Sequence, residues 1–397
     1  MVSSTTPFAG DPVKNAPAIQ GASTFKDSKR HYKTLDGLRG VAAVTVVMFH
    51  LFETFSGGDH TKQIINHGYL AVDFFFVLSG FVIGYAYDDR WNNMSLGGFF
   101  KRRLIRLHPM IIIAMIIGAV TFYLQGSSAF PVIQTVPVWK LLLVMLIGFT
   151  LIPVGQSLDI RGWGEMHPLN GPAWTLFFEY IGNILYGLFI RKFSNTMLAV
   201  LVFIAGAALM HLSVTSPHGD VIGGWSIEWT QFRIGLTRLC YPFFAGLLLS
   251  RIAKPGQIKH AFFWCSLLLL AVLVFPRVGG HEHLLWNGLY DSLSILILFP
   301  AIVYLGACGE VKENVSSRIS SFLGEISYPI YIIHFPFIYL FMAWVDKYKP
   351  TTAAAFAGGI IVLATTILFA YLCSRLYDIP VRKWLTKRFM GNETKEA

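Results

Sequence analysis

The sequence predicts an all-α, polytopic integral membrane protein: a helical bundle of about ten transmembrane helices plus one re-entrant or tilted segment. Three observations carry that expectation. Of the 397 residues 54% are hydrophobic and only 14% charged, with a mean hydropathy of +0.55; a soluble chain usually carries about a quarter charged residues. Apolar stretches recur along nearly the whole length, so the chain reads as one membrane unit and not as a soluble domain with an anchor. The basic residues behind the net charge of +10 cluster between those stretches and at the two ends. That placement is expected of cytoplasmic loops facing anionic lipid and does not imply nucleic acid.

Residues 1–34 form a polar tail rich in Ser, Thr, Pro and Ala, ending in the basic run Lys26 to Lys33. The apolar segment behind it lacks a small-residue cleavage site, which makes the tail a retained cytoplasmic one and not a signal peptide. Residues 35–385 form the membrane domain, and 386–397 a basic, polar cytoplasmic tail. Apolar windows fall at 38–55, 69–87, 109–125, 138–153, 172–190, 197–213, 236–252, 260–275, 288–307, 323–345 and 352–376. Basic tails at both ends put both termini in the cytoplasm, which requires an even number of crossings. The basic connections 99–108, 191–192, 251–259 and 312–318 share that side only if one window between 126 and 190 fails to cross. The weakest is 138–153, which carries Lys140 near its start and runs into the polar segment Gly155 to Gly171. Ten crossings of the cell (inner or plasma) membrane follow.

The first window places Arg39 and His50 eleven residues apart. At about 100° per residue, eleven steps end within roughly 20° of three full turns, so both side chains share a helix face, about 16 Å apart along the axis. Ionisable residues inside a span are costly and by default functional, so the pair points to chemistry inside a membrane. The second window sets Asp73 with Ser79, Gly80 and Gly84, small residues that permit close helix approach or leave room for a narrow thioester arm. Next, Phe99 to Pro109 holds Lys101, Arg102, Arg103 and Arg106. They form either a topogenic patch on an interfacial helix or a cytoplasmic site for a phosphorylated donor, because guanidinium forks grip phosphate oxygens. Coenzyme A would suit that site, its nucleotide at the rim and its acyl thioester reaching inward.

Glu179 stands about two turns inside the fifth window, where a lone carboxylate must be paired, protonated or in contact with water. In the tenth, Tyr328, Tyr331 and His334 form one polar stripe, either a satisfied structural network or a wall of the same cavity. Loops 214–235 and 276–287, on the expected outer face, carry Trp225 and Trp286 among His218, Asp220, Glu228, His281 and His283. Interfacial tryptophans are common; the sharper reading is a polar, aromatic mouth where a sugar could stack. His281 and His283 do not match a helical His-x-x-x-His site, so no metal is expected. Cys240, Cys265, Cys308 and Cys373 lack metal-ligand spacing and read as small buried hydrophobes.

Arg39-(ten residues)-His50, the segment Val72 to Phe81, Arg103-x-x-Arg106, Pro172-Ala-Trp-Thr-Leu-x-x-Glu179 and Ser327-Tyr-x-x-Tyr-x-x-His334 occur in that order. The ordered set resembles the acyltransferase 3 family of integral membrane acyltransferases over about residues 31–385. The resemblance implies transfer of an acyl group, commonly acetyl from acetyl-coenzyme A, to a hydroxyl of a carbohydrate or similar acceptor. It also carries the family's essential arginine–histidine pair onto Arg39 and His50. Thr175-Leu-Phe-Phe-Glu179 departs from the pattern, since many members have a serine and a less aromatic run there; this bears on the acceptor class. The sequence is expected to leave no room for the soluble esterase-like domain that some relatives carry.

Transfer from a thioester to a hydroxyl needs a base for the hydroxyl proton and a donor for the tetrahedral oxyanion. Histidine is the natural base, since its unperturbed pKa lies near neutrality. His50 is therefore read as general base, with a covalent acyl-histidine as the alternative. Arg39 lies too far along the helix to touch His50 and is assigned to the donor, together with Arg102, Arg103, Arg106 and Ser79. Asp73, Glu179, Tyr331, His334, Trp225 and Trp286 serve the acceptor or support the site, with Tyr331, His334 and Ser79 as oxyanion candidates. The expected partners are an acyl-coenzyme A, a carbohydrate or glycan acceptor and the bilayer, with no metal and no nucleic acid. A proton-coupled transporter of a polar small molecule using Arg39, His50, Asp73 and Glu179 is the rival class. Helix-interrupting Gly and Pro residues suit it, but no internal repeat between halves supports it.

Overall fold

Every one of the eleven apolar windows becomes helix, and the described residues form no strand. The computed structural model describes residues 29, 31–57, 59, 62–253, 256–280, 282–309 and 315–391. The tail before residue 29, His281 and residues 392–397 lie outside them, as do the expectations placed there. The helices are α1 Lys33–Ser56, α2 Ala71–Tyr87, α3 Leu96–Thr121, α4 Val138–Phe149, α5 Ala173–Leu188, α6 Asn195–Val214 and α7 Trp229–Ile252. They continue with α8 Ala261–Val274, α9 Leu284–Leu293, α10 Phe299–Ala307, α11 Val315–Tyr348, α12 Thr352–Cys373 and α13 Ile379–Met390. Single turns of π-helix, Ser294–Leu298 and Ser374–Asp378, join α9 to α10 and α12 to α13. Each precedes a proline (Pro300, Pro380) that has no N–H for the ordinary i→i−4 bond, so the ladder widens there instead of breaking.

Local chemistry sets the ends. Ser95, Ser194 and Thr351 each accept the backbone N–H of the third residue of their helices, the usual N-cap arrangement. Gly57 closes α1 at φ 62°, a left-handed conformation that glycine adopts without penalty. One boundary differs from expectation. The basic run 99–108 is not a separate interfacial segment but the first half of α3, which continues through Pro109. The bundle accommodates that proline's lost hydrogen bond.

The eight spans Lys33–Ser56, Gly68–Tyr87, Leu96–Gln125, Asn195–Val214, Trp229–Ile252, Leu284–Ala307, Val315–Tyr348 and Thr352–Met390 are long and apolar enough to cross a membrane. This is an integral, multi-pass helical bundle. Let the near end be the one that holds Asp36, and the far end the one that holds Tyr339. α1 and α11 run parallel from near to far: Arg39 meets Ser327, His50 meets His334 and Phe55 meets Phe341. α2 and α7 pack through glycine. A Cβ on Gly80 would overlap the Phe243 carbonyl, and one on Gly246 the Val77 carbonyl.

α4 takes a different course. The segment before it is tied to the far end of α3 by Tyr123 Oη donating to Val136 O (2.8 Å), and the segment after it by Arg161 Nη2 donating to Gln125 Oε1 (2.8 Å). Between them α4 spans only 12 residues, about 18 Å against a hydrocarbon core of about 30 Å. Segment 126–172 thus leaves the far end and returns to it. α5 and α8 are also shorter than a standard span, with 16 and 14 residues. α5 nevertheless runs from the Thr175–Tyr331 contact to Tyr186 beside Asp88, and α8 from Gly37 to His67.

Candidate active site

α1 supplies the two residues that the sequence singled out, and α11 holds both. Arg39 Nε donates to Ser327 Oγ at 2.8 Å, while its Nη2 meets Asp36 Oδ1 at 2.9 Å. Three turns further along, His50 Nδ1 lies 2.8 Å from Glu53 Oε2. Its ring stacks on His334 (centroids 5.6 Å apart, planes 24° apart) and meets Phe335 edge-on at 4.8 Å. The carboxylate of Glu53 accepts, so Nδ1 carries the hydrogen; in a neutral imidazole Nε2 then holds the lone pair. Sequence reasoning missed Glu53. The signal was there, three residues after His50 and one turn away on the same face.

At the near end Arg106 lies within electrostatic reach of Arg39 and Arg382, with Asp36 and Asp378 opposing them. Arg382 Nη2 pairs with Asp378 at 2.9 Å. Arg102, buried, stands one turn before Arg106 on α3. Arg103 faces elsewhere: its Nη2 donates to Glu179 Oε1 at 2.8 Å, and Ser79 Oγ donates to the same oxygen at 2.8 Å. The intramembrane carboxylate of Glu179 is therefore a paired one. Arg103 and Arg106, neighbours in sequence, serve two different clusters.

Between the rim and His50 runs the stripe on α11. Tyr328 Oη donates to Leu107 O at 2.6 Å and sits within electrostatic reach of Arg106 and Glu179. Tyr331 Oη lies 2.8 Å from Thr175 Oγ1. His334 Nδ1 donates to Tyr331 O at 2.7 Å.

Hydrogen positions follow from these partners. Thr175 Oγ1 donates to Pro172 O at 2.9 Å, so Tyr331 must give its proton to Thr175. Ser79 gives its proton to Glu179. A neutral His334 carries its hydrogen on Nδ1, because a carbonyl only accepts, and its Nε2 is then a lone pair. Each of the three oxyanion candidates thus has its proton committed in this structure.

The remaining expected residues take supporting places. Asp73, fully buried, meets Arg238 through two bonds of 3.2 and 2.6 Å, and Arg238 Nη2 also donates to Tyr69 O at 2.8 Å. Trp225 is half-buried and packs on the core, its carbonyl accepting from Met166 N at 2.8 Å. Trp286 lies on α9 and is 57% exposed. The two far-end loops are tied together where Asp220 meets Arg277 at 3.3 Å and Asn287 Nδ2 donates to Gly219 O at 2.7 Å.

Sequence reasoning also missed the far-end cluster in the loop between α4 and α5. Tyr339 Oη donates to both oxygens of Glu165 (2.8 and 2.6 Å), and the Arg161 guanidinium lies 3.4 Å over the Tyr339 ring. Burial pushes the Glu165 carboxyl up to about 7, against the pull of Arg161. Burial also drives His167 down to about 3, so its ring is neutral. Among the described residues no three His, Cys, Asp or Glu side chains gather as metal ligands would.

A multi-pass helical bundle that gathers arginines at one rim and a histidine–carboxylate pair at depth has the build of an integral membrane enzyme. The chain belongs to the acyltransferase 3 family: the family model described as an acyltransferase domain matches residues 32–375. It is similar to O-acetyltransferase OatA of Staphylococcus aureus, in strains NCTC 8325 / PS 47 and COL, with 24% identity over 384 residues. Those matches cover 91% of this chain and 59% of the relatives, so the chain spans about three-fifths of their length. No solved structure matches.

Proposed function

We propose that this protein is a membrane O-acyltransferase that moves an acetyl group from acetyl-coenzyme A to a hydroxyl of a carbohydrate or glycan. The observation that carries this reading is the His50–Glu53 pair at 2.8 Å, with the polar stripe of α11 leading to it from the near-end arginines. Arg39, Arg106 and Arg382 outnumber the two aspartates beside them, Asp36 and Asp378, and suit the phosphates of coenzyme A. Arg102 adds to that charge. About 16 Å of helix separates Arg39 from His50, a gap that a pantetheine arm is built to span.

In the reaction His50 Nε2 takes the hydroxyl proton as that oxygen attacks the thioester carbonyl. The C–S bond breaks when the tetrahedral intermediate collapses, and the proton leaves with the thiolate as free thiol. Glu53 holds the ring in the tautomer this requires and steadies the imidazolium while it exists. By the positive-inside rule the near end, with Lys101, Arg191, Lys192, Lys383 and Arg388, faces the cytoplasm, which gives ten crossings and both termini inside.

The test is turnover of radiolabelled acetyl-coenzyme A by purified protein with a hydroxyl acceptor. Wild-type protein should transfer label, and His50→Ala should lose about 10²–10⁴-fold in rate while remaining folded. Near-normal transfer by the folded variant would sink the assignment of the base.

A further inference from the structure

Pro336 interrupts α11 and has no N–H, so the Ile332 carbonyl four residues earlier loses its helical donor. Asn170 Nδ2 takes that place at 2.7 Å. A carbonyl can only accept, so this bond fixes which end of the amide is which, and Oδ1 is left buried with no partner. The adjacent carbonyl, Tyr331 O, takes His334 Nδ1 at 2.7 Å, and His334 Nε2 is likewise buried with no partner. Asn170 and His334 are both wholly inaccessible. Two consecutive carbonyls of one helical turn therefore each pin a side chain from behind and leave it offering a lone pair. The His334 ring stacks directly on His50. Buried acceptors without donors are rare and costly. These two call for a ligand that donates hydrogen bonds.

Resting on the reading of His50 as the base, we propose that His334 Nε2 and Asn170 Oδ1 form an acceptor subsite for hydroxyl groups adjoining the one that is acylated. The substrate class is then a vicinal polyol, and an isolated alcohol is a poor acceptor because it leaves both lone pairs unmet. An anionic substituent at the neighbouring position faces two lone pairs and is rejected.

The experiment uses the full chain in lipid nanodiscs with labelled acetyl-coenzyme A. Two matched probe sets are compared: trans-cyclohexane-1,2-diol against cyclohexanol, and a methyl glucopyranoside against its monodeoxy forms. Wild-type protein should favour the vicinal diols in kcat/KM by about tenfold to a hundredfold, the usual penalty for an unmet buried polar group. His334→Phe keeps a flat ring against His50 and should erase most of that preference, chiefly by lowering transfer to the diols. Equal kcat/KM for diol and mono-ol in wild-type protein would overturn the subsite alone, as would an undiminished preference in both His334→Phe and Asn170→Leu. Absence of transfer to every probe would overturn the acyl-transfer reading itself.

Discussion

In the proposed mechanism Glu53 decides how His50 behaves. If its carboxylate sets the tautomer, Glu53→Gln should lower kcat by about 10²-fold or more with little change in either apparent KM, since neither substrate loses a contact. A variant that lost donor affinity instead would place Glu53 in binding. Glu165 makes a different prediction, about stability. Its folded pKa of about 7 stands above the ordinary 4.5, so the native state holds its proton more tightly than the unfolded chain does. That contribution is whole below about pH 4.5, declines as pH rises towards 7, and is gone above it. A proton held that much more tightly corresponds to about 3 kcal/mol. Thermal unfolding in detergent between pH 4 and 8 should show this decline in wild-type protein, and the Glu165→Gln variant should lack it. Parallel pH profiles for the two proteins would contradict it.

What the sequence disclosed at this scale was whatever lies within one helix. Arg39 and His50 share a face by arithmetic alone, and Tyr328, Tyr331 and His334 do the same. Partners across the fold were hidden. Arg238 stands 165 residues from Asp73, and Asn170 162 residues from the Ile332 carbonyl that it caps. No local spacing reveals such pairs, although Pro336 announces that some group must meet Ile332.

The element that changes most between sequence and structure is α3. Its hydrophobic period begins only after Pro109, so the window was drawn from there; yet Ser95 caps it and the helix starts at Leu96. Continuity matters because one rigid rod then presents Arg103 to Glu179 and Arg106 to the rim. The two arginines should respond differently to neutralisation. Arg106→Gln should raise the apparent KM for acetyl-coenzyme A several-fold and leave the acceptor's unchanged. Arg103→Gln strips a half-buried carboxylate of its charged partner, leaving it only Ser79, and should chiefly lower stability, by as much as about 3 kcal/mol. Calorimetric titration with coenzyme A alongside thermal unfolding separates the two. Indistinguishable behaviour would mean that Arg103 also touches the donor.

Across the whole molecule, the proposed even number of crossings rests on the distribution of lysine and arginine, and on a segment 126–172 that begins and ends beside the far end of α3. The positions of the windows were legible because membrane depth sets helix length. That α4 turns back was legible only as a charge imbalance, because its apolar residues are those of any short span. Cysteine labelling with an impermeant reagent, in a variant stripped of Cys240, Cys265, Cys308 and Cys373, tests the arrangement. Positions introduced near Trp225 and His283 should react from outside, and those near Lys101 and Lys383 should stay protected. Labelling of Lys383 and Trp225 positions from the same side would require an odd count.

The parallel pairing of α1 with α11 has a consequence for how the protein is made. Arg39 and Ser327 are 288 residues apart, which at about 5–20 residues per second amounts to roughly 15–60 s of translation. For that interval Arg39 lacks Ser327, and His50 lacks the His334 ring that stacks on it. A nascent chain arrested before α11 would hold every basic residue of α3 and still lack the stripe of Tyr328, Tyr331 and His334. On the proposed function, activity would therefore arrive late, only once α11 is in place beside α1.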